Sequence, residues 1–265
     1  MPILATMPKQ VLRRLALAAL TLSAACGSAG SADPAGARTA GLAGRLTVFA
    51  AASLTSSFTE LGKDFESAHP GTTITFSFGP SSGLAQQILA GAPADVFASA
   101  SAKSMSQVSD AGEATGVETF ARNVAEIAVS LKSARKVTTL TDLGKPGVKV
   151  ALCQPEVPCG ALAQQVLAAA KLTVRPVTQG LDVKSTLAYV TSDEVDAAIV
   201  YVTDVRAAKG KVVGVQVPAA LNASTAYQVA TVTSSKSAAL ATAFEQYVLS
   251  AAGQRVLRAA GFVAP

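Results

Sequence analysis

The stretch LTVFAAASLTSSFTELGKDFESAHPGTTITFSF, residues 46–78, decides the fold. Leu46 to Ala50 is a short apolar run of β type. Leu54 to Ala68 carries apolar residues at helical spacing (Leu54, Phe58, Leu61, Phe65), and Thr73 to Phe78 alternates apolar with polar residues, most of them β-branched or aromatic. Strand, helix, strand is the unit of a parallel sheet, in which ligands lie beyond the carboxyl ends of the strands where helices begin. His69, the sole histidine, falls in the helix-ending turn Glu66 to Gly71 and reads as exposed and inert. A helix from Gly83 to Ala90 and a strand from Asp95 to Ser99 extend the rhythm.

The middle of the chain repeats it: strands at Glu126 to Ser130 and Lys149 to Leu152, helices at Ala161 to Ala170 and Val183 to Val190, and a strand at Ala197 to Tyr201. A strand at Tyr227 to Thr233 and helices at Ala238 to Leu249 and Gly253 to Ala260 close the chain. The expected fold is α/β with two lobes, each a mainly parallel sheet flanked by helices. Residues 45–124 plus 229–265 form the first lobe and 125–228 the second. The chain then crosses near Arg122 to Ala125 and near Ala226 to Val229, and two crossings make a hinge. Phe49, Phe76, Phe78 and Phe97 fall on β runs and read as core.

The N-terminal segment reads as an export signal, residues 1–25: basic Lys9 to Arg14, apolar Leu15 to Leu22, then small Ser23, Ala24 and Ala25 before Cys26. The apolar run is too short to span a bilayer. Small residues before a cysteine resemble a bacterial lipobox, although Ser23 stands where leucine is usual, so lipidation of Cys26 is expected, with simple cleavage as the alternative. Residues 26–44, Gly-rich and without periodicity, read as a flexible tether. The protein is expected outside the cytoplasm, attached to the outer face of the membrane. With Lys9, Arg13 and Arg14 gone, 22 bases become 19 against 17 acids, a net charge of +2. No basic stripe interleaved with aromatics remains, so no nucleic-acid partner is expected. Cys153 and Cys159, six apart and the only cysteines besides Cys26, are expected to form a disulfide, with two buried thiols as the alternative.

Four strand-to-helix junctions carry small or capping residues: Ala51 to Leu54, Gly79 to Gly83, Val157 to Ala161 and Gly180 to Val183. Helix starts expose unpaired N–H groups and the positive end of a dipole, so several converging there hold an anion without formal charge. Ser53, Ser81 and Ser82 add hydroxyl donors. A pocket of donors alone suits a fully deprotonated dianion, because a protonated phosphate has an O–H that needs an acceptor.

The segments Val48 to Thr55, Ser81-Ser82 followed by Leu84 to Ile88, Ala90 to Phe97, Pro155 to Gly160 and Ile199 to Asp204 resemble, in order and spacing, the molybdate-binding component of bacterial ABC importers, from about residue 45 to the C-terminus. The resemblance implies a type II periplasmic-binding-protein fold and a ligand, molybdate or tungstate, held between two lobes. Sulfate or another tetrahedral oxyanion is the alternative. It further implies five contact positions: Ser53 and Ser81 through hydroxyl and backbone N–H, Cys159 and Val183 through backbone N–H, and Tyr201 through its phenol. The metal enters only as the bound oxyanion, with no cofactor. A membrane permease is the implied partner of a monomeric binder. The chain departs from the family at Pro80 and Gly83, which replace hydroxyl residues often flanking the Ser-Ser pair, and at Cys159, which replaces alanine.

No catalytic residue is expected. Gly-x-Ser-x-Gly, phosphate-loop and His-Glu-x-x-His motifs are absent from the sequence. The cluster Asp193, Glu194, Asp196 reads as a solvated loop, and Asp95 and Asp204 as backbone or inter-lobe hydrogen-bonding residues, since a carboxylate repels an anion.

Overall fold

The computed structural model describes residues 42–265, so the expected export signal, Cys26 and all but the last residues of the tether lie outside the described residues. The chain runs β1 (Gly44–Ala51), a 3-10 turn (Ala52–Leu54), α1 (Thr55–Ala68), β2 (Thr72–Gly79), α2 (Ser81–Leu89), β3 (Val96–Ser99), α3 (Ala102–Asp110) and the long β4 (Ala114–Ser130). It continues through β5 (Val150–Cys153), α4 (Pro158–Ala169), β6 (Thr178–Gly180), α5 (Val183–Thr191), β7 (Ala197–Tyr201), α6 (Val202–Ala207), β8 (Val212–Gln216), β9 (Ser224–Val232), α7 (Ala238–Leu249) and α8 (Ala251–Ala260).

The strands order β2-β1-β3-β9-β4-β7-β5-β6, with β8 also on β4. Strands β2, β1 and β3 pair in parallel, as do β7, β5 and β6, while β9 and β4 run antiparallel between the two groups. This is the two-lobed α/β architecture expected from the alternating pattern. Strand β4 belongs to both lobes: up to Val124 it pairs with β9, and from Ala125 it pairs with β7. The side chain of Asn222 clamps that point, accepting from Ala125 N–H (3.1 Å) and donating to Ala125 C=O (3.0 Å).

The lobes have different cores. Around β1 and α1 the buried set is aromatic, with Phe58, Phe65, Phe120, Tyr227 and Phe244 meeting edge to face or tilted at centroid distances of 5.4–6.1 Å. Around β5 and β7 it is aliphatic, built from residues such as Ile127, Val150, Leu162, Val166, Ile199 and Val200, with Tyr201 at its edge. Ala52 packs into that second core, so the turn after β1 touches the opposite lobe.

Several elements had no signal in the sequence. Helix α3 is mostly polar and buries only Ser104, Met105 and Val108, and α6 is six residues long. The first half of β4 carries register shifts at Thr115/Glu118 and Thr119/Ala121, which break the two-residue alternation that marks a strand.

The acidic cluster does more than face solvent. Asp196 accepts from Ser133 Oγ, Lys136 Nζ and Lys149 N–H at 2.5–2.7 Å, and Asp193 from Ser130 Oγ and Lys132 Nζ. Asp95 accepts from Thr47 N–H and Ser235 Oγ, which agrees with its expected backbone role. His69, expected to be exposed, is half-buried, because its ring lies tilted against Phe65 with centroids 4.3 Å apart. Phe49 and Phe97 are buried; Phe76 and Phe78 are partly so, stacked on each other.

Candidate functional site

One small cavity lies where the two lobes meet. Its walls are Ala51, Ala52, Ser53, Gly79, Pro80, Ser81 and Ala100 from the first lobe and Val157, Pro158, Cys159, Asp182, Val183 and Tyr201 from the second, around about 20 Å³ open to the centre of a water-sized sphere. That is room for a small ion or a few waters. All five residues singled out from the sequence line it. Ser82, the other serine of the pair, faces a neighbouring surface groove instead.

Each wall is built by a chain entering a helix. Ser81 is the first residue of α2 and follows Pro80; Cys159 is the second residue of α4, after Val157 and Pro158. Neither Pro80 nor Val157 caps its helix with a side chain, so the first N–H groups are left for something else. Helix α5 is capped differently: Asp182 accepts from Ser185 N–H at 2.8 Å, which satisfies the third residue and leaves Val183 N–H free of that cap. The carboxylate of Asp182 is the one charged group in the wall, and this bond ties one of its oxygens to the helix start.

The three side-chain hydroxyls are differently supported. Ser81 Oγ accepts from Ala100 N–H (3.0 Å), so its proton is available to the cavity. Ser53 Oγ is 2.7 Å from Tyr227 Oη. Tyr201 is 1% exposed, and its hydroxyl is the only buried side-chain nitrogen or oxygen without a hydrogen-bond partner among the described residues. An unpaired buried hydroxyl costs about 1–3 kcal/mol, which a ligand acceptor removes. Burial, then the neighbouring Tyr227 and Asp204, push its pKa far above the usual phenol range, so it stays a donor.

Positive charge is kept out of the cavity wall. Lys184, next to Val183, gives its ammonium to the fully buried Asp204 (2.9 Å), whose other oxygen accepts from Tyr201 N–H at 3.3 Å. Desolvation raises the Asp204 pKa against the opposing pull of Lys184. Asp204 thus holds the backbone of Tyr201, as its position at a strand end suggested. The expected disulfide is present: Cys153 and Cys159, Cα atoms 5.7 Å apart, are bonded. Cys153 Sγ also lies 3.2 Å from Thr186 Oγ1, which donates to Asp182 C=O, so the bridge touches the starts of both α4 and α5.

Sequence reasoning missed Asn123, Thr203 and Tyr227, which are buried behind Ser53. Asn123 lies in the irregular half of β4 and Thr203 in the short α6, where no periodic pattern draws attention to a polar residue. No cluster of metal-ligating side chains occurs among the described residues.

Donors from opposite sides of a cleft describe a binder of a small solute. The family model of bacterial extracellular solute-binding proteins matches residues 46–263. The chain belongs to that family. This solute-binding protein is 39% identical over 242 residues to a molybdate-binding protein, ModA, of Mycobacterium tuberculosis strain H37Rv, covering 91% of this chain and 92% of the relative. It is 33% identical over 231 residues to the molybdate-binding protein ModA of Escherichia coli K12, covering 83% and 89%. Among solved structures it matches the substrate-binding domain of a putative molybdenum ABC transporter from Clostridium difficile, with TM-score 0.63, 27% identity and 83% and 99% of the two chains covered. The periplasmic molybdate-binding protein of Azotobacter vinelandii shares the fold, with TM-score 0.76, 24% identity and the same coverage. As a member of this extracellular family the protein works outside the cytoplasm, and it binds rather than transforms its solute.

Proposed function

We propose that this chain is the substrate-binding component of an ABC importer and captures molybdate or tungstate between its lobes through neutral donors. The observation that carries the reading is the cavity itself. Ser53, Ser81 and Tyr201 offer hydroxyls and Cys159 and Val183 offer helix-start N–H groups, and the one buried hydroxyl left unpaired among the described residues belongs to this set. Helix starts and hydroxyls spread the ligand's two negative charges over fixed dipoles, and a fully deprotonated dianion needs nothing else. The similarity to molybdate-binding relatives supplies the choice of anion.

On this reading residues 45–124 with 229–265 and residues 125–228 are the two halves of a clamp, open when empty and closed on the anion, because contacts from opposite lobes are all made only when closed. The closed, monomeric form docks on a membrane permease, and lipid on Cys26 keeps it at the outer face of the membrane. Isothermal titration calorimetry of the purified protein against molybdate, tungstate, sulfate and phosphate tests this. One-to-one heat with molybdate or tungstate and little with the others is expected. Silence with all four overturns the reading, and preference for sulfate moves the substrate to that anion.

A further inference from the structure

We propose that Asn123 sets the polarity of the Ser53 hydroxyl, acting through Tyr227, and so is a positioning residue that decides which protonation state of an oxyanion the site accepts. The proposal rests on the oxyanion reading above and concerns residues that do not line the cavity.

The hydrogen bonds run in one direction. Asn123 Oδ1 accepts from Val124 N–H (3.1 Å), which fixes the amide with its NH₂ turned inward. That NH₂ has two protons and two acceptors before it: Thr203 Oγ1 at 2.8 Å and Tyr227 Oη at 3.4 Å. A Tyr227 oxygen that accepts from Asn123 sends its single proton to Ser53 Oγ, 2.7 Å away. Ser53 Oγ, already accepting, then points its own proton into the cavity. The side chains behind Ser53 are enclosed: Asn123 and Tyr227 are each no more than 1% exposed, and Tyr227 is wedged edge-on against Phe120, Tyr201 and Phe262 at 5.1–6.1 Å.

Ser81 reaches the same polarity by a shorter route, since its oxygen accepts from the main chain at Ala100. The two differ in what can be rewritten. A main-chain donor survives any substitution, whereas an amide NH₂ can be replaced by a group that only accepts. In Asn123→Asp, the carboxylate accepts from Tyr227, Tyr227 accepts from Ser53, and Ser53 turns a lone pair toward the ligand. The site then holds an acceptor for a ligand O–H.

The experiment compares molybdate with hydrogenphosphate at about pH 8, where both are dianions and one carries a proton, so that a simple change of charge affects them alike. Affinities are measured by calorimetry for the wild type, Asn123→Asp and Tyr227→Phe, with thermal melts to verify folding. The wild type is expected to prefer molybdate. Asn123→Asp is expected to lower molybdate affinity at least ten-fold and to shrink the molybdate-to-hydrogenphosphate ratio by more than ten-fold. Tyr227→Phe cuts the relay without adding charge and shrinks the ratio by about three-fold, so the test survives misfolding of the aspartate variant. If the folded variants weaken both anions in proportion, the ratio staying within about two-fold, Asn123 merely supports the fold and the proposal is overturned. A wild type silent with molybdate, tungstate, sulfate and phosphate overturns the oxyanion reading and the relay with it, whereas a wild type that binds with a ratio indifferent to both substitutions overturns the relay alone.

Discussion

The two lobes meet one cavity with different materials. The first presents serine hydroxyls from a core of phenylalanines; the second presents main-chain N–H groups from an aliphatic core braced by a disulfide, with Tyr201 as its one contributing side chain. Hydroxyls rotate and must be oriented by what lies behind them. Main-chain N–H groups are aimed by the backbone and depend on its exact path. The first lobe is therefore sensitive to hydrogen-bond partners and the second to steric intrusion.

Glycines at equivalent places separate the two most sharply. Gly160 is the third residue of α4, and a Cβ there would fall 1.9 Å from Gln154 C=O; Gly83 is the third residue of α2, and a Cβ there would sit 3.4 Å from Pro80 Cγ. Gly160→Ala is expected to destabilise by about 3 kcal/mol or more and to abolish ligand binding. Gly83→Ala is expected to stay within about 0.5 kcal/mol of the parent, helped by alanine's helix propensity. Thermal melts with and without molybdate measure both, and equal effects would erase the contrast.

Tyr201→Phe is the next largest. It removes an unpaired buried hydroxyl, so the ligand-free protein should melt no lower than the parent while affinity falls about 10- to 100-fold, the worth of a hydrogen bond to a charged acceptor at ~1.5–3 kcal/mol. A lower melting temperature together with unchanged affinity would show that the hydroxyl has a structural partner instead.

Replacing the disulfide with Cys153→Ser and Cys159→Ala tests how far the second lobe needs bracing. Chain entropy for so short a loop predicts a loss of about 2 kcal/mol in stability. On the proposed reading affinity should fall as well, because the bridge fixes the turn that aims the Cys159 N–H, a donor that alanine itself keeps. Stability lost with affinity intact would place the bridge outside the binding machinery.

The last contrast concerns acid. Asp196 in the second lobe opposes its desolvation with bonds from Lys136, Ser133 and Lys149, which together hold its carboxyl below the usual 3.8. Its stabilisation is present above that value and lost as pH falls through the lowered folded one. Glu245 in the first lobe goes the other way: desolvation, with Glu118 nearby, raises it above 4.5, so it penalises the fold at neutral pH and the penalty fades as pH falls toward 4.5. Glu245→Gln should gain less than about 1 kcal/mol at pH 7 and nothing near pH 4, because Thr231 Oγ1 still finds an acceptor. Asp196→Asn should lose about 1–3 kcal/mol at pH 7, a deficit that shrinks only below about pH 4. Melting temperatures across that range would show whether the lobes respond with opposite sign.

Much of this was legible in the chain. Residues 46–78 carry two periodicities in succession, and β7 was bounded correctly at Ala197–Tyr201 because an unbroken apolar run ends at a tyrosine and a polar stretch. The five cavity residues were legible through a family resemblance, which preserves their order although the side chains at Cys159 and Val183 are incidental to N–H donation. The supporting layer was not. Nothing local marks Asn123, because its importance lies in facing Thr203 and Tyr227, 80 and 104 residues away. The long β4 was read only from Glu126, since its first half bulges twice.

Strand β4 also fixes the mechanics of the proposed clamp. Its partner changes between Val124 and Ala125, and Tyr201 pairs directly with Ala125, so that phenol stands at the fulcrum. On the proposed reading, an anion seated against that phenol lies beside the axis of closure, so it holds the lobes together at the point where they move least against each other.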